Sequence, residues 1–490
     1  MSFVCPTIPC LRCRTKIVCT LGPSTDAPGV VERMIEAGMA VARINFSHGT
    51  AEENAQRIRS VREAAARYSI PLGILADLQG PKLRIGAFAR GKVDLAVGQE
   101  FWLLYHPAEG DETKVHVPHP EVLDAIAEGS RVLLGDGDIE LVARQRTTDG
   151  IACEVVVGGS LASRKGITVP GVKVHLPVVT EKDRADLTVA LREKVDYVAL
   201  SFVQEASDVE VLRGLIHDAG QDVPIVAKIE RRSAIEEFDS VLAAADAVMV
   251  ARGDLGLEVP AEEVPIYQKE LIAKAKAAGK PVITATQMLE SMMTNPRPTR
   301  AEASDVANAI VDGTDAVMLS GETAAGRYPV EAVRMMRRIA SFTEANLPEP
   351  PPESPACTVR TYSVTEAISQ ATCHIAKEVG ARAIVAATMS GWTARMVAKE
   401  RPEVPIVAIT PNPEVVGRLT LVWGVAPMLV ETYQSSDAVT DASLEVARLL
   451  NLVKDDDLVV LTAGMPLGGP GRTNTIRVHR PSEAKTATGG

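Results

Sequence analysis

Eight short apolar runs punctuate the chain, many of them ending in polar or glycine residues: KIVCTLGP, AVARINFSHG, LGILADLQGP, VDYVALSF, PIVAKIE, AVMVARGD, PVITATQ and AVMLSGET. Most are separated by helix-sized amphipathic segments. DAPGVVERMIEAG predicts a helix with Asp26 as N-cap, Pro28 in its first turn and Gly38 at its stop. TEKDRADLTVALREKV opens with Thr180 and Asp183 at capping-box spacing. Near-continuous apolar strands alternating with helices are the mark of parallel strands buried on both faces. Eight such units predict an α/β fold, a (β/α)8 TIM barrel, in preference to a doubly wound sheet. In a barrel of this kind the chemistry gathers at the C-terminal strand ends. Here those ends carry Arg43, Asn45, Ser47, Asp77, Lys228, Glu230, Arg252, Asp254, Thr286, Ser320 and Glu322.

The texture changes between the third and fourth runs. KVDLAVGQEFWLLY, RVLLGDGDIELVA, IACEVVVGG and GITVPGVKVHLP read as strands joined by Gly- and Asp-rich turns, an inserted all-β domain able to close over the barrel mouth as a lid. The Pro-rich NLPEPPPESP, residues 346–355, reads as an extended linker. After it RAIVAATMSG, PIVAIT, VAPMLV and DLVVLTAG alternate with helix candidates, a separate C-terminal α/β domain. The expected boundaries are a tail at 1–13, the barrel at 14–79 and 177–345, the insert at 80–176, and linker plus C-terminal domain at 346–490.

Composition narrows the function. The net charge of −11 over 490 residues argues against a nucleic-acid partner and leaves an anionic substrate only where Lys and Arg cluster locally. Seven cysteines, an odd number without a disulfide framework, fit a reducing cytoplasm. Cys5, Cys10 and Cys13 have a spacing that resembles an iron–sulfur ligand set, but Cys19 falls inside a strand and no fourth clustered ligand follows. No apolar run is long enough to span a membrane and no signal peptide opens the chain. The expectation is a cytoplasmic protein.

Lys228 and Glu230, two apart on a strand, share a face. Asp254 ends the next strand, so adjacent strands offer two carboxylates to Mg2+, a hard ion that completes its shell with substrate and water. The bland alternative is a structural Lys–Glu pair. Arg43 suits a phosphoryl group, which a guanidinium grips through two parallel hydrogen bonds. Ser320, Gly321 and Glu322 fit either the same mouth or a hydroxyl-capped helix start. Cations, carboxylates and hydroxyls without a Cys or Ser nucleophile point to electrostatic phosphoryl or enolate chemistry. Neither a G-x-x-x-x-G-K-[ST] loop nor the H-R-D and D-F-G kinase motifs occur, and the lone GGPGR is too weak to count.

CTLGPST, ARINFSHG, GPKLRIG, KIE, ARGDLG, TATQMLESM, NPRPTRAEASDVANAIVDGTDAVMLSGETA and TNTIRV, in this order from residue 14 to 478, resemble the pyruvate kinase family. The resemblance implies phosphoryl transfer from phosphoenolpyruvate to ADP, giving pyruvate and ATP, with Mg2+ (or Mn2+) on Glu230 and Asp254. It implies that Lys228 stabilises the transferring group and the enolate, that Arg43 contacts the phosphoryl group, and that Gly253, Asp254 and Thr286 line the substrate. Thr286 also lies near the protonation step, with Ser320 and Glu322 in the catalytic set. Asn45, Phe46, Ser47, His48, Arg84, Asp136 and Lys165 are the implied ADP/ATP contacts. A homotetramer is the usual assembly of the family.

Many relatives hold K+ near positions matching Asn45, Ser47, Asp77 and Leu78, and carry glutamate where this chain has Lys82. The expectation is that the Lys82 ammonium supplies that charge and K+ is not required. TMSGWTA resembles the family's effector-phosphate loop, making Thr388, Ser390, Gly391 and Thr393 candidates for a sugar-phosphate or AMP effector, although Met389 and Trp392 stand where charged residues are common. Two rivals are a barrel mutase or lyase acting on phosphoenolpyruvate, which needs no nucleotide contacts, and an inactive regulatory subunit, which would not keep Arg43, Lys228, Glu230, Asp254 and Thr286 together.

Overall fold

The computed structural model describes residues 13–174, 176–347, 363–432, 435–466 and 472–482. Cys5 and Cys10, most of the Pro-rich segment and nearly all of GGPGR lie outside them. The eight runs form strands Lys16–Leu21, Val41–Asn45, Gly73–Asp77, Tyr197–Leu200, Ile225–Ile229, Ala247–Ala251, Val282–Ala285 and Ala316–Leu319. They close into a barrel in which sequential strands are neighbours and the last pairs with the first. All eight pairings are parallel.

Alternation along each strand sorts the side chains into two cores. Val18, Val41, Leu75, Tyr197, Ala199, Val226, Ala247, Met249, Ile283, Ala316 and Met318 fill the lumen. Their sequence neighbours, such as Ile17, Ala42, Ile74, Val198 and Ala227, face the surrounding helices. A strand buried on both faces reads as an unbroken apolar run, which is why the runs were so visible. The inward parity continues past the apolar stretch into Thr20, Arg43, Asp77, Ser201 and Lys228. The polar mouth is therefore the top layer of the same lumen.

Two helix starts were expected, and they differ. Thr180 accepts from the Asp183 amide at 3.1 Å while the Asp183 carboxylate accepts from the Thr180 amide at 2.9 Å, a reciprocal cap. Asp26 is not an N-cap. The first helix is Val30–Ala37, entered through Gly29 at φ 79° and left through Gly38. Glycine takes that left-handed angle freely and re-aims the chain, so Asp26 is left outside, paired with Arg57 at 2.7 Å.

The insert has its own core, from Leu83 to Val174. Its sheet of six strands contains Glu100–Leu104, Lys114–His116, Arg131–Leu134, Ile139–Arg146, Gly150–Val157 and Ile167–Thr168, and Lys92–Leu95 pairs with Gly159–Ala162. One short helix, Pro120–Ala125, interrupts the otherwise all-β pattern. The insert reaches the barrel mouth where the Gly171 amide donates to Glu258 at 3.4 Å and Gln204 donates to the Val174 carbonyl at 3.2 Å.

The C-terminal domain is a sheet of five strands ordered Val425–Leu429, Ile406–Thr410, Ala383–Ala387, Val459–Ala463 and Thr475–His479, the last antiparallel. It plugs the opposite end of the barrel. Lys16 Nζ donates to the Val425 carbonyl at 2.7 Å, Tyr197 Oη donates to the Arg418 carbonyl at 2.6 Å, and Leu421 joins the lumen core. No helix among the described residues is long and apolar enough to cross a membrane.

Candidate active site

The mouth is organised around Asp77, the final inward residue of the third strand. Its buried carboxylate receives Arg43 Nε at 2.7 Å on one oxygen. The other oxygen faces Lys228 Nζ and Ser201 Oγ, each at 3.4 Å. Burial raises a carboxyl pKa, but Lys228 and Arg43 overcome it and hold Asp77 below its ordinary value. Arg43 Nη1 donates to Thr20 Oγ1 at 2.9 Å. Two of its nitrogens are thus fixed by the protein.

Lys228 is buried among acceptors: Ser201 Oγ at 2.7 Å, Glu230 Oε1 at 2.8 Å and Asp77. Burial alone lowers its pKa; Asp77 and Glu230 outweigh it, and the net direction is upward. The ammonium therefore stays charged across the working pH range. Glu230 Oε2 accepts from the Phe202 amide at 2.6 Å. Its Oε1 meets the Lys228 ammonium at 2.8 Å. Burial first, and the field of Asp254 second, raise the Glu230 pKa against the opposing pull of Lys228.

Asp254 lies in the first turn of the helix Arg252–Glu258, which starts directly after its strand. Arg252 anchors that turn, donating to Asp305 at 2.7 Å and to the Thr286 carbonyl at 2.7 Å. Thr286 Oγ1 accepts from the Gly253 amide at 2.7 Å and donates to the Ala285 carbonyl at 2.6 Å. Thr286 and Gln287 both have positive φ, 71° and 55°. For a β-branched threonine this is a strained backbone, of the kind that is held at functional sites by its surroundings.

The rest of the expected set divides. Glu322 is buried and accepts from the amides of Leu289 at 3.0 Å and Ser320 at 2.7 Å, so it ties two loops beneath the mouth. Ser320 Oγ is buried without a partner and does not cap its helix. Asn45 Oδ1 accepts from the Ser47 amide at 3.1 Å. Phe46 and Leu78 point the other way, into the core between barrel and helices. Their parity is outward, so neither side chain lines the mouth. The Leu78 carbonyl is already taken by Ser201 Oγ at 2.7 Å.

His48, Lys82 and Arg84 are exposed at the rim. The His48 pKa is lowered by partial burial and then by Lys82, Arg43 and Arg84, so these cations share one field. Arg84 bridges Gly166 and donates to the Arg164 carbonyl at 2.9 Å, which sets it beside Lys165. Lys165 pairs with Asp136 at 3.2 Å. Far away, in the C-terminal domain, the Thr388 hydroxyl accepts from the Gly391 amide at 2.9 Å and the Thr393 hydroxyl bonds Thr473 at 2.8 Å. Of those four candidates Ser390 alone presents an exposed side chain.

Ser201 and Thr20 were missed. The alternation that places Tyr197 and Ala199 inward places Ser201 inward too, and the same rule applies from Val18 to Thr20, so the signal was there.

Among the described residues no group of three or more His, Cys, Asp or Glu could by itself hold a metal. Glu230 and Asp254, close enough for the field of one to act on the other, still fit Mg2+, an ion that takes much of its shell from substrate and water.

Comparison with known families matches residues 12–333 to "Pyruvate kinase, barrel domain" and 366–479 to "Pyruvate kinase, alpha/beta domain". A pyruvate kinase of Geobacillus stearothermophilus is 48% identical over 473 residues, 96% of this chain and 80% of that protein. Pyruvate kinase 2 of a Synechocystis species is 48% identical over 470 residues, 95% of this chain and 79% of that protein. The pyruvate kinase of Bacillus licheniformis is 45% identical over 470 residues, 95% of this chain and 80% of that protein.

Proposed function

The chain belongs to the pyruvate kinase family, and from that premise we propose how its barrel mouth carries out the reaction. The protein is a phosphotransferase that moves the phosphoryl group of phosphoenolpyruvate to ADP, giving pyruvate and ATP. The observation that carries the assignment of roles is the buried chain Arg43–Asp77–Lys228–Glu230.

A terminal oxygen of ADP attacks phosphorus, the bond from phosphorus to the enol oxygen breaks, and the enolate takes a proton at its terminal carbon. Negative charge passes through the migrating group onto the enolate. Arg43 meets the phosphoryl oxygens with the nitrogen that Asp77 and Thr20 leave free. Lys228 faces the transferring group and the enolate; at about 4 Å a unit charge is worth about 4 kcal/mol in a partly screened site. Both cations are held before substrate arrives, so no reorganisation accompanies the reaction. Gly253 and Thr286 seat the substrate carboxylate, and Thr286 is placed to order the proton path. Ser320 carries an unbonded hydroxyl at the same end of the barrel, while Glu322 shapes the loops.

Glu230 and Asp254 would hold Mg2+, with Mn2+ as a substitute, and the ion when bound neutralises phosphoryl charge. His48, Arg84 and Lys165 would receive the nucleotide phosphates, with Asn45 and Ser47 shaping that loop and Asp136 orienting Lys165. Pyruvate formation that requires both ADP and Mg2+ tests the reading; product formed without ADP would favour a mutase or lyase.

Potassium is not required in this reading. The groups that would ligate it are occupied: both Asp77 oxygens face protein donors, the Leu78 carbonyl serves Ser201, and Asn45 holds Ser47. The Lys82 side chain, exposed and without an ion pair among the described residues, supplies the charge instead. Activity in tetramethylammonium buffer should change little on adding K+, whereas Lys82→Glu should create a K+ requirement. The enzyme is further proposed to be a homotetramer, testable by light scattering. A phosphate effector at the Thr388–Thr393 loop would rely on Ser390, Gly391 and backbone amides, and tryptophan fluorescence during titration with AMP or a sugar phosphate would detect it.

A further inference from the structure

Two residues of the mouth, Ser201 and Glu230, are each followed in sequence by a side chain that the proposed reaction leaves unused, Phe202 and Arg231. Those two side chains meet. The Arg231 guanidinium lies over the Phe202 ring at 5.4 Å. Arg231 Nη1 also donates to Glu258 Oε1 at 3.2 Å, in a pair that is largely buried. The other Glu258 oxygen accepts from the Gly171 amide of the insert at 3.4 Å. Glu258 is the last residue of the helix Arg252–Glu258, whose first turn carries Asp254. Phe202, Arg231, Glu258 and Gly171 thus form one line of contacts from the end of a barrel strand to the insert.

That line reaches both carboxylates assigned to Mg2+, Asp254 through the shared helix and Glu230 through a hydrogen bond. The Phe202 amide donates to Glu230 Oε2 at 2.6 Å. It does so from φ 58°, a left-handed angle that a bulky residue keeps only when its surroundings hold it there. Arg231 holds the ring on one side, and Gly80 packs against it: a Cβ at Gly80 would lie 3.0 Å from the ring. Gly80 stands just past the third barrel strand, where the chain leaves for the insert, and its amide donates to the buried Asp183 at 3.1 Å. The insert therefore bears on Phe202 at its first crossing, through Gly80, and on Glu258 at its second, through Gly171. A turn of the insert also rests on the same helix, because a Cβ at Gly137 would come 2.9 Å from Leu257 Cδ2. Carboxylates that ligate a metal are oriented by outer hydrogen bonds of this kind. A planar guanidinium can stack on a ring and pair with a carboxylate at once, which an ammonium does not.

We propose that Arg231 and Glu258 are positioning residues that couple the placement of the insert to the metal carboxylates. Arg231 fixes the Phe202 amide on Glu230, and Glu258 joins Arg231 to Gly171. The inference rests on the reading of Glu230 and Asp254 as metal ligands. The test is Mn2+ binding to the full chain without substrates, read from the electron paramagnetic resonance of free Mn2+. Arg231→Met should weaken that binding about tenfold. Arg231→Lys, which keeps a charge for Glu258 but no planar group for the ring, should recover part of the loss. Coupling is reciprocal, so Mg2+ should slow hydrogen exchange in the peptide containing Gly171 in the unsubstituted chain and not in Arg231→Met. A merely structural role would lower the unfolding temperature and leave both readings alone. Should Arg231→Met not fold, Phe202→Leu decides: weaker Mn2+ binding supports the proposal, and unchanged binding overturns it. Exchange at Gly171 that ignores Mg2+ in the unsubstituted chain would also overturn it. Glu230→Gln separates the two levels. If that variant loses Mn2+ while Arg231→Met binds it as the unsubstituted chain does, the positioning role falls and the metal site stands; if Glu230→Gln binds Mn2+ normally, both fall.

Discussion

The two ends of the barrel are built from the same eight strands and both gather cations, yet they treat charge in opposite ways. At the mouth Arg43 and Lys228 are set against buried carboxylates, Asp77 and Glu230, that keep them ionised and immobile. At the floor Lys16 is buried against a carbonyl of the C-terminal domain, and Arg401 of that domain donates to the Gly313 carbonyl of the barrel. The difference follows from what covers each end. In the proposed reading the mouth receives substrate beneath the insert, so its charges are arranged for a ligand that comes and goes. The floor is closed by a second domain, so its polar groups hold two pieces of chain together. Substitutions at the mouth should therefore change rate, and those at the floor should change stability.

The largest effect expected is that of Lys228→Met. Removing a preorganised charge that is proposed to face the transferring group should lower kcat by about a thousandfold or more. Asp77 and Glu230 would also lose their shared cation, so unfolding should come earlier, because breaking a buried pair costs about 3–5 kcal/mol. A coupled pyruvate assay with a thermal scan checks both. A variant that keeps a tenth of the activity would remove Lys228 from the chemistry.

Lys16→Met tests the other end. It leaves the Val425 carbonyl buried without its donor, a loss of about 1–3 kcal/mol. The unfolding temperature should drop while kcat and KM stay close to those of the unsubstituted enzyme. A fall in kcat with unchanged stability would erase the distinction between the two ends.

Ser201→Ala is the milder counterpart at the mouth. It removes one acceptor from the Lys228 ammonium, a hydrogen bond to a charged group worth about 1.5–3 kcal/mol at most, so kcat should fall about tenfold with KM for phosphoenolpyruvate less affected. Ser201→Thr, which keeps the hydroxyl, should recover part of the rate. Rescue by threonine distinguishes positioning of the ammonium from simple packing.

The mouth was largely legible in the sequence, and the floor was not, for one physical reason. Strands buried on both faces must be apolar throughout, so the point where a run turns polar marks the strand end, and Arg43, Asp77, Lys228 and Glu230 announced themselves there. Phe46 and Leu78 were grouped with their neighbours although alternation turns them outward, while the same alternation would have found Thr20 and Ser201. Asp26 looked like a cap because local composition does not tell where a left-handed glycine re-aims the chain. The floor contacts join residues far apart in sequence, Lys16 with Val425 and Arg401 with Asp315. No local period encodes such a meeting; it exists only once the C-terminal domain has docked.

The smallest effect expected is again at the floor, and it depends on pH. Glu366 accepts from the Ser363 amide and hydroxyl and pairs with Lys399, and these contacts, the Ser363 amide first, lower its pKa to about 2. A carboxyl depressed on folding binds its proton more readily when unfolded. Its stabilising contribution is therefore complete above the unfolded value near 4.5 and lost as pH falls toward about 2. Glu366 is partly exposed, so the contribution is screened, below about 1 kcal/mol. Glu366→Gln should unfold slightly earlier than the unsubstituted chain near neutral pH, and the gap between their unfolding temperatures should close as the buffer is acidified through that window. A gap that stays constant would mean that the carboxylate's charge adds nothing here.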